Sequence, residues 1–331
     1  MVLIRRLLAV ATAGTLALAA TALLTASAVT AFAQEVVQDE GAAYRAWYEA
    51  SQAKDMPKAT QAAKDYLAKY PTGQYAEALK KWLGAAQMAN LDAAIKEKRT
   101  AEMITIGQQI LAAEPDNLNV LYALAFNIRR NELLASPPSY QDAAVAADFA
   151  KRAIALIEAG KGLAGVQSFD RNATLAWLTQ ILALVEQKNG NPGQATQLFE
   201  KSTSLAPQDP LIAGRNLLAV LAARQASYAE AAKAYNAIPE ADRAAVETKP
   251  EVKAARDKVN TEADAFIDAA ARFVALAKVK GLAPATRDKV NQSLEAVYKT
   301  RFPDDASMGG LQKILQDKEA ALGAPAAAPG D

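Results

Sequence analysis

The catalytic repertoire of this chain is narrow, because its 331 residues include no histidine and no cysteine. Those two absences exclude Ser-His-Asp and Cys-His catalysis, zinc sites, haem attachment and cysteine-ligated clusters. An enzyme built from the remaining residue types would use carboxylates, lysine, tyrosine or serine. The composition therefore indicates a protein that is not an enzyme and that binds no metal ion and no cofactor.

The acidic side chains follow the pattern of solvated helix surfaces rather than that of a paired-carboxylate active site. Asp92 stands four residues before Lys96, and Glu200 is followed by Lys201. Such spacing brings opposite charges together on a polar helix face. Carboxylate catalysis would require turnover that is lost when a single Asp or Glu is replaced, and nothing in the spacing singles out such a residue.

One glycine motif could indicate a nucleotide site, and a strongly basic charge would indicate a nucleic-acid partner. The segment Gly160–Gly165 matches G-x-G-x-x-G, but the nucleotide-binding form needs a strand before it and a helix opening within it. Here the motif follows a predicted helix, so it predicts a loop between helices. Lysine and arginine total 37 against 36 acidic residues, and the lysine runs are short. A near-neutral chain of this kind indicates no nucleic-acid partner.

The first 33 residues have the organisation of an export signal. Arg5 and Arg6 precede a charge-free run that ends Ala31-Phe32-Ala33, with small residues around a bulky one as signal peptidase requires. We predict cleavage between Ala33 and Gln34, and hence a periplasmic or secreted protein. The alternative is an uncleaved membrane anchor, because the run is long enough to span a bilayer.

The mature chain carries helical periodicity along almost its whole length. Apolar residues recur at intervals of three and four from Ala42 to Leu322, and no alternating strand pattern appears. Glycines and prolines punctuate the pattern where helices would end. The predicted helices span 40–53, 57–69, 74–97, 100–113, 117–134, 140–158, 168–188, 192–204, 209–225, 227–237, 250–279, 284–300 and 308–321.

A small–large pattern repeats between residues 190 and 239. Ala195 is followed four residues later by Phe199, and the pair recurs 36 residues further on as Ala231 and Tyr235. A small residue lets two antiparallel helices approach closely, the large one fills the groove beside it, and Pro207 ends the helix. Looser copies of the pattern lie at Ala59, Met103 and Ala146.

This pattern resembles the second helix of a tetratricopeptide (TPR) repeat, and the exported chain is similar to secreted bacterial TPR proteins. The resemblance covers about residues 40–240 and is most specific over 190–239. It implies an all-α fold, a right-handed TPR-like α-solenoid of antiparallel helix pairs, because one unit cannot bury its apolar face alone and neighbours stack. The predicted organisation is a signal peptide at 1–33, repeats at 34–245, a C-terminal helical cap at 246–322 and a disordered tail at 323–331.

The resemblance also implies a binding groove, because the first helix of each TPR unit lines the concave face. Carried onto this sequence, the groove positions mix aromatic, amide and cationic side chains, with Leu184 and Val220 between them. The predicted partner-binding residues are Asn119, Tyr122, Phe126, Arg129, Arg130, Trp177, Gln180, Gln187, Lys188, Asn216 and Arg224. Aromatic rings supply contact area, and amides and arginine bind a peptide backbone or a carboxylate.

Two other interpretations of these residues stay open at this stage. The aromatic members can be ordinary core between repeats, and the polar members can be plain solvated surface. The two-lysine, two-asparagine clamp of chaperone-binding TPR members has no counterpart here, so the resemblance implies no chaperone ligand.

The sequence thus favours a non-catalytic scaffold of the bacterial cell envelope that binds a partner protein or peptide. A soluble carrier or sensor of a small apolar or glycan ligand is the alternative, because alanine-rich helices can leave an apolar groove.

Overall fold

The structure, a computed structural model, describes residues 29–166 and 168–323, with burial and side-chain contacts from residue 39 onward. These residues form thirteen α-helices and one π-helical turn, and no β-strand occurs among them. The expectation of an all-α protein is confirmed. Most of the predicted signal peptide and the tail beyond residue 323 lie outside the described residues. Helix α1 (Val29–Gln52) runs through the predicted cleavage site.

The chain divides into two compact units, the first of which ends at Pro115. After α1, its helices are α2 (Met56–Lys69), α3 (Ala76–Lys96) and α4 (Thr100–Ala113). Each helix packs against its neighbour in sequence. Asp55 caps α2 by accepting a hydrogen bond from the Lys58 backbone N–H at 3.1 Å. None of the helices in the described ranges combines the length and hydropathy needed to cross a bilayer.

Tyr66 is the central side chain of the first unit, and it is fully buried. Its hydroxyl donates to the Glu40 carboxylate and accepts from the Tyr75 backbone N–H at 3.0 Å. Gly73 lies against this pair, because a Cβ there would stand 2.6 Å from the Tyr66 oxygen and closer still to Glu40. Burial and the bond to Glu40 raise the pKa of Tyr66 to about 12.

The second unit runs from Asp116 and contains the remaining helices. They are α5 (Leu118–Ile128), the π-helical turn (Arg129–Leu133), α6 (Ala143–Glu158), α7 (Arg171–Lys188), α8 (Pro192–Leu205), α9 (Ala213–Asn236), α10 (Glu240–Ala244), α11 (Pro250–Lys280), α12 (Pro284–Arg301) and α13 (Gly309–Gly323). Helices α5 to α9 pack on their sequence neighbours, and α5 also packs on α7. Ala195 and Phe199 are buried on α8, which packs on α7.

The prediction of two helices at 209–225 and 227–237 is wrong, because α9 is a single helix. Neither glycine nor proline interrupts the chain between Arg224 and Tyr228, so nothing there ends the helix. Ala231 and Tyr235 therefore lie on the same helix as Asn216, and they do not form the second helix of a repeat. In place of that missing partner, α11 packs along α9.

The C-terminal region belongs to the second unit, and α11 is its centre. This helix packs on α9, α12 and α13. The apolar stripe that the sequence predicts along it is buried from Ala263 through Phe266, Ala270 and Phe273 to Leu276. Gly281 ends the helix in a left-handed conformation, with φ of 65°. The predicted boundary at 245/246 thus falls inside one compact unit.

Candidate functional site

Arg129 begins the π-helical turn after α5, and its side chain is buried beneath aromatic rings. The residue is 4% exposed, and its guanidinium carbon lies 4.0 Å from the centroid of the Trp177 ring and 5.6 Å from that of Phe126. Phe126 in turn stacks on Tyr122 with centroids 5.7 Å apart. Helices α5 and α7 therefore hold three half-buried rings around one buried cation, which is a favourable cation–π arrangement.

The π-helical turn sets the position of this arginine. The Leu134 backbone N–H donates to the Arg129 carbonyl at 2.9 Å, which is the wider i to i+5 spacing. The buried Glu132 of the same turn holds the following loop, since its carboxylate accepts the Asp142 N–H at 3.0 Å. Burial, opposed by that hydrogen bond, raises the pKa of Glu132. The sequence predicts continuous helix here, and the turn is a feature that only the structure reveals.

A buried chain of hydrogen bonds fixes the orientation of the arginine. Arg129 Nε donates to Gln180 Oε1 at 2.8 Å, and Gln180 Nε2 donates to Asn216 Oδ1 at 2.5 Å. Asn216 Nδ2 donates to Ser202 Oγ at 2.8 Å, and that hydroxyl donates to the Ala176 carbonyl at 2.7 Å. We call these four side chains the polar relay. The polar relay joins α7, α8 and α9 to Arg129, because each side chain in it forms a hydrogen bond with the next.

The rest of the guanidinium has no such partner. Among the described residues, neither Nη1 nor Nη2 of Arg129 donates a hydrogen bond, and no carboxylate lies within ion-pair distance. Burial and the nearby positive charge of Arg215 lower the pKa of Arg129, although Tyr122 and Asp209 act in the opposite direction. A guanidinium starts from so high a pKa that it stays a cation at neutral pH. The site therefore carries a positive charge that no carboxylate of the described residues contacts directly.

Near the buried cation, α9 and the turn before it carry a second cation and two exposed apolar side chains. Arg215 is exposed, Leu211 is 69% exposed and Leu218 is 39% exposed. Leu218 lies about one turn after Arg215 on α9, and Leu211 lies in the turn that leads into this helix. We call the surface made by Tyr122, Phe126, Trp177, Arg129, Arg215, Leu211 and Leu218 the arginine surface.

The structure places the other predicted groove residues away from this cluster or gives them other partners. Asn119 holds the loop after α6, donating to the Ala164 carbonyl at 3.0 Å and accepting its N–H at 2.9 Å. Arg224 forms an ion pair with Glu200 at 2.8 Å. The remaining three, Arg130, Gln187 and Lys188, are exposed.

Two of the predicted groove residues are not surface contacts in this structure. Gln180 and Asn216 are fully buried, and their polar atoms are used within the polar relay. The prediction that these two line an exposed groove is therefore corrected to a supporting role beneath it. Arg129 is buried as well, but its Nη atoms donate no hydrogen bond among the described residues. Leu184 and Val220, predicted between them, are likewise buried core.

Sequence reasoning missed Arg215 and Ser202, for different reasons. Arg215 neighbours the predicted Asn216, so a shift of one residue in the repeat frame would have included it. Ser202 lies on the second helix of its pair, which the groove frame ignores. No sequence signal indicates that its hydroxyl would meet Asn216.

A second group of aromatic side chains, also missed, lies in the first unit. Tyr44 stacks on Tyr75 with centroids 3.9 Å apart, and Trp47 meets Trp82 edge-on at 5.5 Å. Trp47 Nε1 is buried without a hydrogen-bond partner among the described residues. The density of aromatic residues between 44 and 82 is the signal that would have revealed this group.

The remaining chemical motifs take structural roles. The glycine motif forms the loop between α6 and α7, where Gly160 and Gly165 adopt positive φ of 90° and 76°. Lys161 in this loop pairs with Asp116 at 2.9 Å. Within the described ranges, no three acidic side chains converge as metal ligands. No protein-family model matches the chain, and the search of curated proteins gives no significant match.

Proposed function

We propose that this chain is a non-catalytic interaction protein of the TPR type, exported to the bacterial cell envelope, that binds a partner protein or peptide on the arginine surface. The single observation behind the proposal is the buried Arg129, whose Nη atoms donate no hydrogen bond to any described residue and lie next to the half-buried rings of Phe126 and Trp177, with Tyr122 stacked on Phe126. A right-handed solenoid with its groove on this face is part of the same proposal.

The composition of the arginine surface supports binding of a macromolecule. Tryptophan, tyrosine and arginine are the residues that most often dominate binding energy at protein interfaces. Leu211 is 69% exposed, which is unusual for a large apolar side chain next to a cation, and a partner would cover it. The polar relay fixes the guanidinium of Arg129 against α7, α8 and α9, so little order has to be gained at this side chain on binding.

The alternative of a small-ligand carrier rests on a different place in the second unit. A cavity of about 460 Å³ lies between α11, α12 and α13, with Ile267, Phe302 and Ile314 on its apolar side. Asp264 and Asp268 line the same cavity, and they pair with Arg301 at 2.9 Å and Lys318 at 2.6 Å. Its size is within the range of ligand pockets, so a small apolar molecule is the second candidate ligand.

Affinity capture from an envelope extract tests the proposal, with residues 34–331 as bait. We expect a partner that is retained by the wild type and by Trp82→Ala, and lost by Trp177→Ala. The two variants make the same change in different units, and circular dichroism checks that both are folded. A partner held equally by all three baits would overturn the location, and native mass spectrometry that shows a co-purified small molecule would favour the carrier.

The export part of the proposal has its own test. N-terminal sequencing of the protein recovered from the periplasm should begin at Gln34. A chain that retains Met1 and fractionates with membranes would contradict cleavage.

A further inference from the structure

We infer that the arginine surface recognises its ligand through a carboxylate group, which the two Nη atoms of Arg129 bind side by side. The inference rests on the proposed function and names the chemistry of the ligand. It concerns one group of that ligand, either a chain-terminal carboxylate or an aspartate or glutamate side chain.

Arg129 has no counter-charge in contact with it among the described residues. A buried cation is costly unless it is paired and hydrogen-bonded, so proteins normally provide a carboxylate. Arg129 is 4% exposed, yet its only side-chain hydrogen bond among the described residues goes from Nε to the neutral amide of Gln180. A carboxylate of the ligand that reaches the Nη atoms past the half-buried rings would supply the contacting charge that the described residues do not.

The hydrogen bond to Gln180 determines which edge of the guanidinium stays unpaired. Because Nε is held by Gln180, the outward edge of the guanidinium is the pair Nη1 and Nη2, whose parallel N–H groups match the two oxygens of a carboxylate. Trp177 lies 4.0 Å from the guanidinium carbon and Phe126 lies 5.6 Å from it. The two rings meet edge to face, at 87°, so they close off two sides of the guanidinium and leave its unpaired Nη edge as the place for an anion.

The charges around Arg129 favour an anion on balance. Arg215 lowers the pKa of Arg129 and adds to the attraction for an anion, whereas the smaller effect of the Asp209 carboxylate opposes it. Leu211 and Leu218 flank Arg215 and are exposed. The surface therefore suits a carboxylate that is carried next to an apolar group, which would cover these leucines.

Nuclear magnetic resonance offers a direct test with internal controls, because the chain has three tryptophans. Each indole N–H gives one signal, which is assigned from the corresponding Trp→Phe variant. Trp177 lies at the arginine surface, whereas Trp47 and Trp82 lie in the first unit. The probes are N-acetyl-phenylalanine, its neutral amide, N-acetyl-glutamic acid α-amide and inorganic phosphate, all titrated into the protein 34–331 at pH 7.

The matched variant is Gln180→Glu. This change places a carboxylate where the structure has an amide 2.8 Å from Arg129 Nε, so the protein supplies its own counter-charge. The charge-assisted hydrogen bond to Arg129 offsets the loss of the Nε2 donor to Asn216, provided that the Asn216 amide reverses and donates to the new carboxylate oxygen. Circular dichroism checks that the variant is folded before it is titrated. The carboxylate probes should nevertheless no longer bind to this variant. A merely structural arginine would not give this combination of a stable fold and lost binding.

We expect at least one carboxylate probe to shift the indole signal of Trp177 and to leave those of Trp47 and Trp82 unchanged. The neutral amide and phosphate should shift none of the three signals. Arg129→Lys, which keeps the charge and loses the paired geometry, should weaken binding by about tenfold, and Gln180→Glu should abolish it. The stronger of the two carboxylate probes identifies the source of the group as chain end or side chain.

Equal shifts with the acid and its amide, preference for phosphate, equal shifts of all three indoles, or full binding by Gln180→Glu would each overturn the inference. Failure of the carboxylate probes while Trp177→Ala still loses the captured partner would remove the inference and leave the proposed function standing. If the carboxylate probes fail and no partner is captured through Trp177, both the inference and the proposed function are refuted.

Discussion

Replacing Gln180 with methionine isolates the energetic contribution of the polar relay. Methionine has nearly the same volume, so the change leaves no large cavity. It removes the acceptor of Arg129 Nε at 2.8 Å and the donor to Asn216 Oδ1, both in a residue with no exposed surface. Two buried polar groups then lack partners, and each costs about 1–3 kcal/mol. We expect the free energy of unfolding of the second unit to decrease by about 2–6 kcal/mol.

Urea unfolding followed by circular dichroism measures this change, with Gln187→Met as the control. Gln187 lies on the same helix, but it is exposed, so its replacement should alter stability by less than about 0.5 kcal/mol. The slope of the free energy against urea should be unchanged in both variants. If Gln180→Met were as stable as Gln187→Met, the relay would contribute nothing, and the proposed support of Arg129 would be refuted.

Three further predictions concern the packing of each unit. Gly73→Ala should destabilise the first unit by about 1–3 kcal/mol in thermal unfolding, because the added Cβ would meet Glu40 and Tyr66. Gly84→Ala is the control: its Cβ would have no atom within 4 Å, so this change should stabilise the unit by about 0.5–1 kcal/mol. Equal effects of the two changes would contradict the close packing at Gly73. Ala195→Leu should cost roughly 1–3 kcal/mol by overpacking α8 against α7, and an unchanged melting temperature would refute that contact. Folding raises the pKa of Tyr66 from 10.0 to about 12, so the Tyr66 hydroxyl keeps its proton to higher pH in the folded state than in the unfolded state. The free energy of unfolding should therefore decline as pH rises through this interval. Tyr66→Phe should flatten the decline, and an unaltered pH profile in this variant would contradict the role of Tyr66.

Most helices could be predicted because their boundaries are written in local chemistry. Asp55, Asn117 and Asp170 are capping residues that accept hydrogen bonds from the first turns of α2, α5 and α7. Gly190 and Gly281 end α7 and α11 in positive-φ conformations. Helical periodicity and these signals together locate the elements within a few residues.

The errors arise where tertiary packing decides and local signals are weak. The segment around Ala226 contains no glycine or proline, and Ser227, although it is a residue type that can cap a helix, lies inside α9, so the helix continues and the expected turn does not form. A repeat frame alone cannot reveal this, because it assigns helix ends by analogy of spacing. The π-helical turn at Arg129 is a similar case, since its residues also suit an ordinary α-helix.

The candidate site was predicted in part. The frame brought Tyr122, Phe126, Arg129 and Trp177 into one set, and the structure places them together. It could not separate these from Gln180, which lies beneath them, because burial of a polar side chain depends on partners from other helices. The hydrogen bonds of the polar relay join residues far apart in sequence, and no periodic pattern contains them.

Site-specific photo-crosslinking in the living cell tests the central claim most directly. A photoreactive amino acid is placed at Leu211 on the arginine surface, or at the exposed Lys201 on α8 as the control. The account predicts that Leu211 gives a discrete crosslinked partner in the envelope fraction, that Lys201 does not, and that Trp177→Ala removes the product. A product formed equally from both positions, or one that survives Trp177→Ala, would contradict binding on this surface.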